Sequence, residues 1–307
     1  MISLILPVYN EGSGILIFIN ELKNYLHDLH QYEFELIIVN DGSTDDSEKI
    51  LKAYQSSIPC RLITFSRNFG KEAAISAGLT HAGGEAAIIM DTDFQHPVTL
   101  IAELIKVWQE EGYDMVYTIR ANRDDESLIK RLFTSVFYKI INTGAGPDLP
   151  THAGDFRLLS RSVIDAILSC PEHVRFMKGL YSWVGFRSKA ITYEVNERKF
   201  GKSKWPFLKL LRLATEGITN FTDLPLRIWT LIGFIIAAFS LLYGAINVIS
   251  ALFFGIDTPG YPTLVTAIFF FGGIQLISIG IIGEYLSNIF REVKKRPIYI
   301  IKKIDEL

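Results

Sequence analysis

Cysteine is scarce and charge is balanced. Cys60 and Cys170 are the only two cysteines among 307 residues, and they lack the paired spacing of a zinc site. Neither a disulfide scaffold nor a thiolate metal centre is expected, and both read as packed thiols in a reducing compartment. The formal net charge is only −2. No global positive field would recruit a nucleic acid, so any phosphate binding has to be local. Ile2 to Val8 reads as a short strand with no basic stretch before it, so no signal peptide is expected there. Internal repeats and low-complexity segments are absent. A P-loop is missing too: Gly201-Lys202-Ser203 would need a second glycine at the position held by Asn196. A P-loop kinase or ATPase is therefore disfavoured.

What the chain has in excess is apolar sequence, 49% of residues with a mean hydropathy of +0.24. The excess lies near the C-terminal end. Leu226 to Phe254 carries one charge, Arg227, and Thr263 to Phe290 carries one acid, Glu284. A bilayer core needs about 20 apolar residues in a helix, so each run can span, and few buried helices of soluble domains are this long and apolar. The connector Gly255 to Pro262 has no Lys or Arg, whereas Arg212 and Arg227 precede the first run and Arg291, Lys294, Lys295, Arg296, Lys302 and Lys303 follow the second. By the positive-inside rule both termini and the first 220 or so residues face the cytoplasm. The chain is expected in a membrane as a multi-pass protein.

Upstream, strand-like and helix-like segments alternate. Ile2 to Val8, Phe34 to Val39, Leu62 to Phe65 and Ala86 to Met90 read as strands. Helical patterns follow from Ser13, after the polar turn Asn40 to Asp46, around residues 70–82, and from Pro97 to about Glu110. Such alternation implies a mostly parallel sheet covered on both faces. A further strand is expected at Asp114 to Ile119, a basic amphipathic helix at Leu128 to Asn142 and a strand at Phe156 to Ser160. In parallel sheets ligands bind beyond the carboxyl ends of the strands, at the switch in strand order. That rule singles out Pro7 to Glu11, the turn after Val39, and the stretch DTDFQHP at 91–97, three polar loops carrying Glu11, Asp41, Asp91 and Asp93.

Asp91 and Asp93 are like charges one residue apart, and both stay ionised cheaply only beside something positive. Alternate residues of an extended segment point the same way, so Asp91, Asp93 and the amide of Gln95 are expected to converge on one ion. These hard oxygen donors suit Mg²⁺ or Mn²⁺, with a substrate diphosphate completing the shell. An Asp-x-Asp alone can equally be a solvated loop cap. His96 reads as a turn residue rather than a ligand. Arg198, Lys199, Lys202 and Lys204 surround Gly201 and could fold over a diphosphate, stabilising charge on a leaving group; they could also face anionic headgroups. Arg120, Arg123, Lys130, Arg131 and Lys139, interleaved with apolar residues, suit an interfacial helix and a lipid-borne phosphate. Trp205 to Leu213 suggests a second in-plane helix, or simple core packing.

These motifs resemble glycosyltransferase family 2 enzymes of the GT-A fold, in particular the polyprenyl-phosphate branch. The resemblance rests on LPVYNE at 6–11, NDGSTD at 40–45, SRNFGKE at 66–72, DTDFQHP, GDFRLLSR at 154–161, ERKFGKSKW at 197–205, and the two apolar runs ending in GEY and KKRP. FMKGLYSWVG at 176–185, PLRIWT at 225–230 and GYPTL at 260–264 look most like the bactoprenol glucosyltransferases of O-antigen glucosylation clusters. The resemblance implies an α/β, Rossmann-like cytoplasmic domain at 1–200, a basic loop and interfacial helix at 201–225, two transmembrane helices at 226–290, and a basic cytoplasmic tail at 291–307. It implies inverting transfer of a sugar, most simply glucose from UDP-glucose, onto undecaprenyl phosphate, with Mg²⁺ or Mn²⁺ as cofactor.

By the same pattern Pro7, Tyr9, Glu11, Asp41 and Asp91 hold the nucleotide sugar, with Asp91, Asp93 and Gln95 as metal ligands. Arg198 and Lys204 meet the diphosphate, Arg120 and Arg131 the acceptor phosphate, and Asp155 lies beside the transferring sugar. Asp93, Asp155, Arg198 and Lys204 form the implied catalytic set. Another donor sugar, such as mannose or an aminosugar, is the near alternative. A processive synthase is disfavoured because no Gln-x-x-Arg-Trp element occurs. A membrane transport subunit is the reading from another class. Gly272, Gly273, Gly280 and Gly283 would allow helix packing and a homo-oligomer.

Overall fold

The computed structural model describes residues 1–120, 150, 153–173, 175–193, 224–254 and 260–307. The expected helix at Leu128 to Asn142, the basic segment around Gly201 and the second in-plane helix lie outside the described residues.

The alternation read from the sequence is realised as β1 (Ile2–Val8), α1 (Gly14–Asp28), β2 (Phe34–Asn40), α2 (Ser47–Lys52), β3 (Cys60–Phe65), α3 (Lys71–His81), β4 (Ala86–Ile89), α4 (Leu100–Glu111) and β5 (Met115–Arg120). β6 (Ala153–Ser160), α5 (Arg161–Ser169), α6 (Met177–Trp183) and β7 (Ser188–Tyr193) follow. The strands form one sheet in the order β7-β5-β6-β4-β1-β2-β3-β8, where β8 is Ile301–Glu306. β1 to β4 are mutually parallel where they pair, because helical crossovers join them; β6 runs antiparallel to both β4 and β5. The chain steps outward from β1 to β3 and then returns to the other side of β1. The switch in strand order therefore falls between β1 and β4, with a crevice at their carboxyl ends.

The central strands are buried on both faces and read as near-continuous apolar runs; Leu4, Ile5, Leu6, Ile37, Ile38 and Ile88 are wholly inaccessible. α1 covers one face with Ile15, Phe18, Ile19, Leu22 and Leu26 at helical spacing. Ser13 stands at its N-cap position but makes no side-chain capping bond. α3 lies on the other face, built from small residues, and a Cβ at Gly78 would stand 2.2 Å from Cγ2 of Ile5. This close approach, open only to glycine, seats α3 tightly on β1 and fixes where its first residues emerge. Pro7 is tolerated in a central strand because it lies beyond the last β1–β4 register pair, Ile5 with Ile89.

Two long helices, α7 (Leu224–Phe254) and α8 (Tyr261–Val293), follow. Within α8, Ala267–Val293 is long and apolar enough to cross a membrane. Trp229 of α7 donates to the Ser278 hydroxyl of α8, tying the two helices together. Phe234, Phe239, Leu252, Phe269 and Leu276 are among the many large apolar side chains left exposed.

The last residues, expected as a basic cytoplasmic tail, add a strand to the sheet. β8 pairs antiparallel with β3, Tyr299 stacks on Phe65 with ring centroids 5.0 Å apart, and the Leu307 amide donates to the Cys60 carbonyl at 2.8 Å. A strand edge left open by β3 is the reason: pairing satisfies its backbone groups, while the exposed Lys302, Lys303 and Glu306 leave the new edge charged.

Candidate active site

The crevice is built from loops that tie one another in place. After β1, Asn10 and Gly12 take positive φ values of 56° and 53°. Their amides donate to Ser43 and Asp45 of the loop after β2 and to Ser47, the first residue of α2, and the Glu11 amide donates to Ser47 as well. Asn10 returns the bond by accepting from the Thr44 amide at 2.8 Å. Gly42 has φ 62°, and a Cβ there would lie 2.3 Å from the Arg67 backbone carbon, so only glycine lets the loops after β2 and β3 touch.

Asp41 is the link between those two loops. Buried to 3% exposure, its carboxylate accepts from the Asn68 side chain and from the amides of Phe69 and Gly70 at 3.0, 2.7 and 2.9 Å. Burial raises its pKa, and these amide bonds, with Arg67 nearby, only partly offset the rise. Both oxygens thus hold the loop that launches α3. Of the other residues expected to hold the nucleotide, Tyr9 is exposed, Pro7 and Glu11 are partly exposed, and all three line the β1 end beside it.

The stretch after β4 is a turn, which corrects the expectation of an extended segment. Phe94 has φ 62°, costing a non-glycine residue about 1 kcal/mol. It is held there by burial of its ring edge-on to Phe18 at 5.4 Å. The Gln95 amide closes the turn on Oδ1 of Asp93 at 3.2 Å. Alternation therefore does not align Asp91, Asp93 and Gln95. The side-chain oxygen Oε1 of Gln95, expected as a metal ligand, accepts from Nη2 of Arg120 at 3.0 Å. His96 is buried, lies against Phe156 and Tyr193, and has Nε2 3.9 Å from Asp91. Burial lowers its pKa more than Asp91 and Asp93 raise it, so it is neutral at neutral pH.

The positive group that Asp91 requires is Lys71, the first residue of α3. Its Nζ lies 2.6 Å from Oδ1 of Asp91 and donates to Oδ2 at 2.8 Å, and it donates to Oδ2 of Asp155 at 2.7 Å. Burial pulls the Lys71 pKa down, but the two carboxylates overcome this and hold it well above the usual lysine range. Burial likewise favours neutral Asp155, yet Lys71, Lys178 and Arg157 together hold it well below the usual carboxylate range.

Behind this pair lies a second tier that sequence reasoning missed. Among the described residues the buried Oε2 of Glu72 has no hydrogen-bond partner, and burial, with the charge of Asp155, pushes the Glu72 pKa up to about 8. Arg157, 2% exposed, lies 3.6 Å over the Tyr181 ring and donates to the Gly154 carbonyl at 2.6 Å. Lys71 and Glu72 sit in the motif SRNFGKE and Arg157 in GDFR, but neither motif says what its basic residue touches. The available signal was α3 starting at the carboxyl edge of the sheet, where Asp91 lacked a counter-charge.

The structure thus gathers Asp91 and Asp155 around Lys71, with Asp93, Gln95 and Arg120 alongside and Pro7, Tyr9, Glu11 and Asp41 across the crevice. Arg131, Arg198 and Lys204 lie outside the described residues. Among those described, no three His, Cys, Asp or Glu side chains converge as a self-sufficient metal cage. A donor set of one or two carboxylates suits Mg²⁺ or Mn²⁺, which take substrate phosphate oxygens for the remainder.

Residues 3–168 match Glycosyl transferase family 2, and residues 224–289 match the GtrB C-terminal hairpin. The chain is 46% identical over 303 residues to the SfII prophage-derived bactoprenol glucosyl transferase of Shigella flexneri, covering 98% of this chain and 97% of that one. It is 44% identical over 304 residues to a prophage bactoprenol glucosyl transferase homolog of Escherichia coli K12, covering 99% of both. An uncharacterized glycosyltransferase of Synechocystis is 42% identical over 99% of this chain and 95% of its own length.

Proposed function

The chain belongs to glycosyltransferase family 2 and is a glycosyltransferase, and from that premise we propose that it moves glucose from UDP-glucose onto undecaprenyl phosphate at the cytoplasmic face of a bacterial inner membrane. The observation that carries the reading is 46% identity to a bactoprenol glucosyl transferase across both the α/β domain and the apolar hairpin. Two transmembrane helices, α7 and α8, keep a polyprenyl acceptor and the crevice on one membrane surface.

The acceptor, a phosphate monoester with a second pKa of about 6, is largely dianionic at neutral pH and needs little help from a base. Asp155, kept ionised by Lys71, Lys178 and Arg157, is a weak base and a good anchor. Its role is to orient sugar hydroxyls and the cations around it, so that attack on the anomeric carbon runs in line and inverts the centre. Asp91 and Asp93 would hold the divalent cation, which supplies Lewis-acid neutralisation of the leaving diphosphate. Arg198 and Lys204 add fixed positive charge to the same leaving group, and Arg120 with Arg131 neutralises the incoming phosphate. The Arg120 bond to Gln95 is exposed and exchangeable, leaving the guanidinium available to an anion.

The test uses detergent-solubilised protein, undecaprenyl phosphate, Mg²⁺ and a panel of radiolabelled UDP- and GDP-sugars, counting label that partitions into the organic phase. Label from UDP-glucose that disappears with EDTA is the expected result. Label from another donor corrects the sugar and leaves the mechanism; no lipid label from any donor overturns the reading.

A further inference from the structure

The β4–β6 ladder pairs Ile89 with Arg157 and Ile88 with Leu158 in antiparallel register. Continued two residues past its end, that register sets Asp91 opposite Asp155. Like charges directly opposed across two strands destabilise the pairing, and here the sheet imposes the opposition. Lys71 resolves it from a third element, with its ammonium bonded to both carboxylates. The ammonium position is well fixed: Gly70 at φ 102° turns the chain into α3, Asp41 holds the two amides before Lys71, and Gly78 seats the helix on β1.

Both oxygens of Asp91 lie within 2.8 Å of Nζ, which is where a divalent cation bound by Asp91 would have to approach. We propose that Lys71 is a resident counter-ion that occupies Asp91 in the ligand-free site and yields it when the metal arrives with the donor diphosphate, remaining on Asp155. The inference rests on the reading of Asp91 and Asp93 as metal ligands. Its consequence is an ordered site. A bare metal ion must displace an ammonium and leave that charge close by, whereas a metal carrying a diphosphate brings the negative charge that compensates it. Metal binding is thereby made dependent on the nucleotide, and Lys71 is a positioning residue for the reaction.

The experiment measures Mn²⁺ binding to the full chain in detergent by the electron paramagnetic resonance signal of free Mn²⁺, with and without UDP. The wild type is expected to bind Mn²⁺ weakly alone and tightly with UDP, and Asp93→Asn to lose the tight binding. Lys71→Met is expected to bind Mn²⁺ without UDP about tenfold more tightly than wild type, since the competing charge is gone; Lys71→Arg, which restores it, is expected to behave as wild type. Tight UDP-dependent binding in the wild type, with no gain in Lys71→Met, overturns the counter-ion and leaves the metal reading intact. Absence of Mn²⁺ binding under every condition overturns both. Should Lys71→Met fail to fold, acylation of Lys71 in the wild type decides the question: faster modification with Mn²⁺ and UDP than with EDTA supports the exchange, and equal rates refute it.

Discussion

Glu72 shows how one partly buried side chain reports on the whole charge cluster. The folded protein keeps a proton on it up to a pH of about 8, whereas the unfolded chain releases that proton near 4.5. Between those values the folded state binds more protons, so this residue makes stability fall as pH rises. Asp155 acts in the opposite sense, because its depressed pKa contributes stability above the unfolded value of 3.8 that is lost on acidification. Glu72→Gln removes the first effect alone. Urea unfolding at pH 6 and pH 8.5 should show wild type losing stability between the two and the variant losing much less. Asp93→Asn, in contrast, is expected to abolish metal-dependent transfer while secondary structure and membrane insertion stay as in wild type, which circular dichroism and membrane fractionation check. Near-normal turnover in that variant would remove Asp93 from the site.

At the level of elements, the turn at 91–96 depends on a hydrophobic pin. Phe94 holds a left-handed conformation because its ring is buried against Phe18, and that conformation redirects Asp93 and Gln95. Phe94→Ala should cost about 3 kcal/mol of stability, read as a lower unfolding midpoint. It should also raise the KM for the donor more than it lowers kcat, because the carboxylates are loosened rather than removed. The helix α3 is the other positioning element. It turns a loop fixed by Asp41 into an exit direction for Lys71, so an acid buried under one strand end controls a cation at another.

For the whole molecule, the main consequence is that the apolar hairpin is tethered at its far end. After α8 the chain returns to the sheet as β8, and the Glu292 carboxylate at the end of α8 accepts from the His173 amide at 2.8 Å. Tyr299→Ala removes the stack on Phe65 and should cost about 2 kcal/mol, seen as a drop of several degrees in the unfolding temperature of the solubilised protein. Topology is tested separately. With Cys60 and Cys170 both buried, a Gly260→Cys variant should be labelled by an impermeant maleimide added outside spheroplasts, whereas Lys294→Cys should be labelled only after lysis. The reverse pattern would invert the orientation.

Local periodicity determined much of this protein in advance. The alternation of apolar runs and helical faces was enough to read four parallel strands, their helices and two long apolar helices, because burial of one face or of both is written residue by residue. Pairing across distance was decided only by the tertiary structure. Lys71 meets Asp91 and Asp155 across 20 and 84 residues, and Arg61 meets Glu306 across 245. The positive-φ turn at Phe94 was equally hidden, since a phenylalanine takes that conformation only where a pocket holds its ring. The sequence therefore named Asp91 as a charge in need of a partner; the register of the sheet and the close seating of α3 chose the partner.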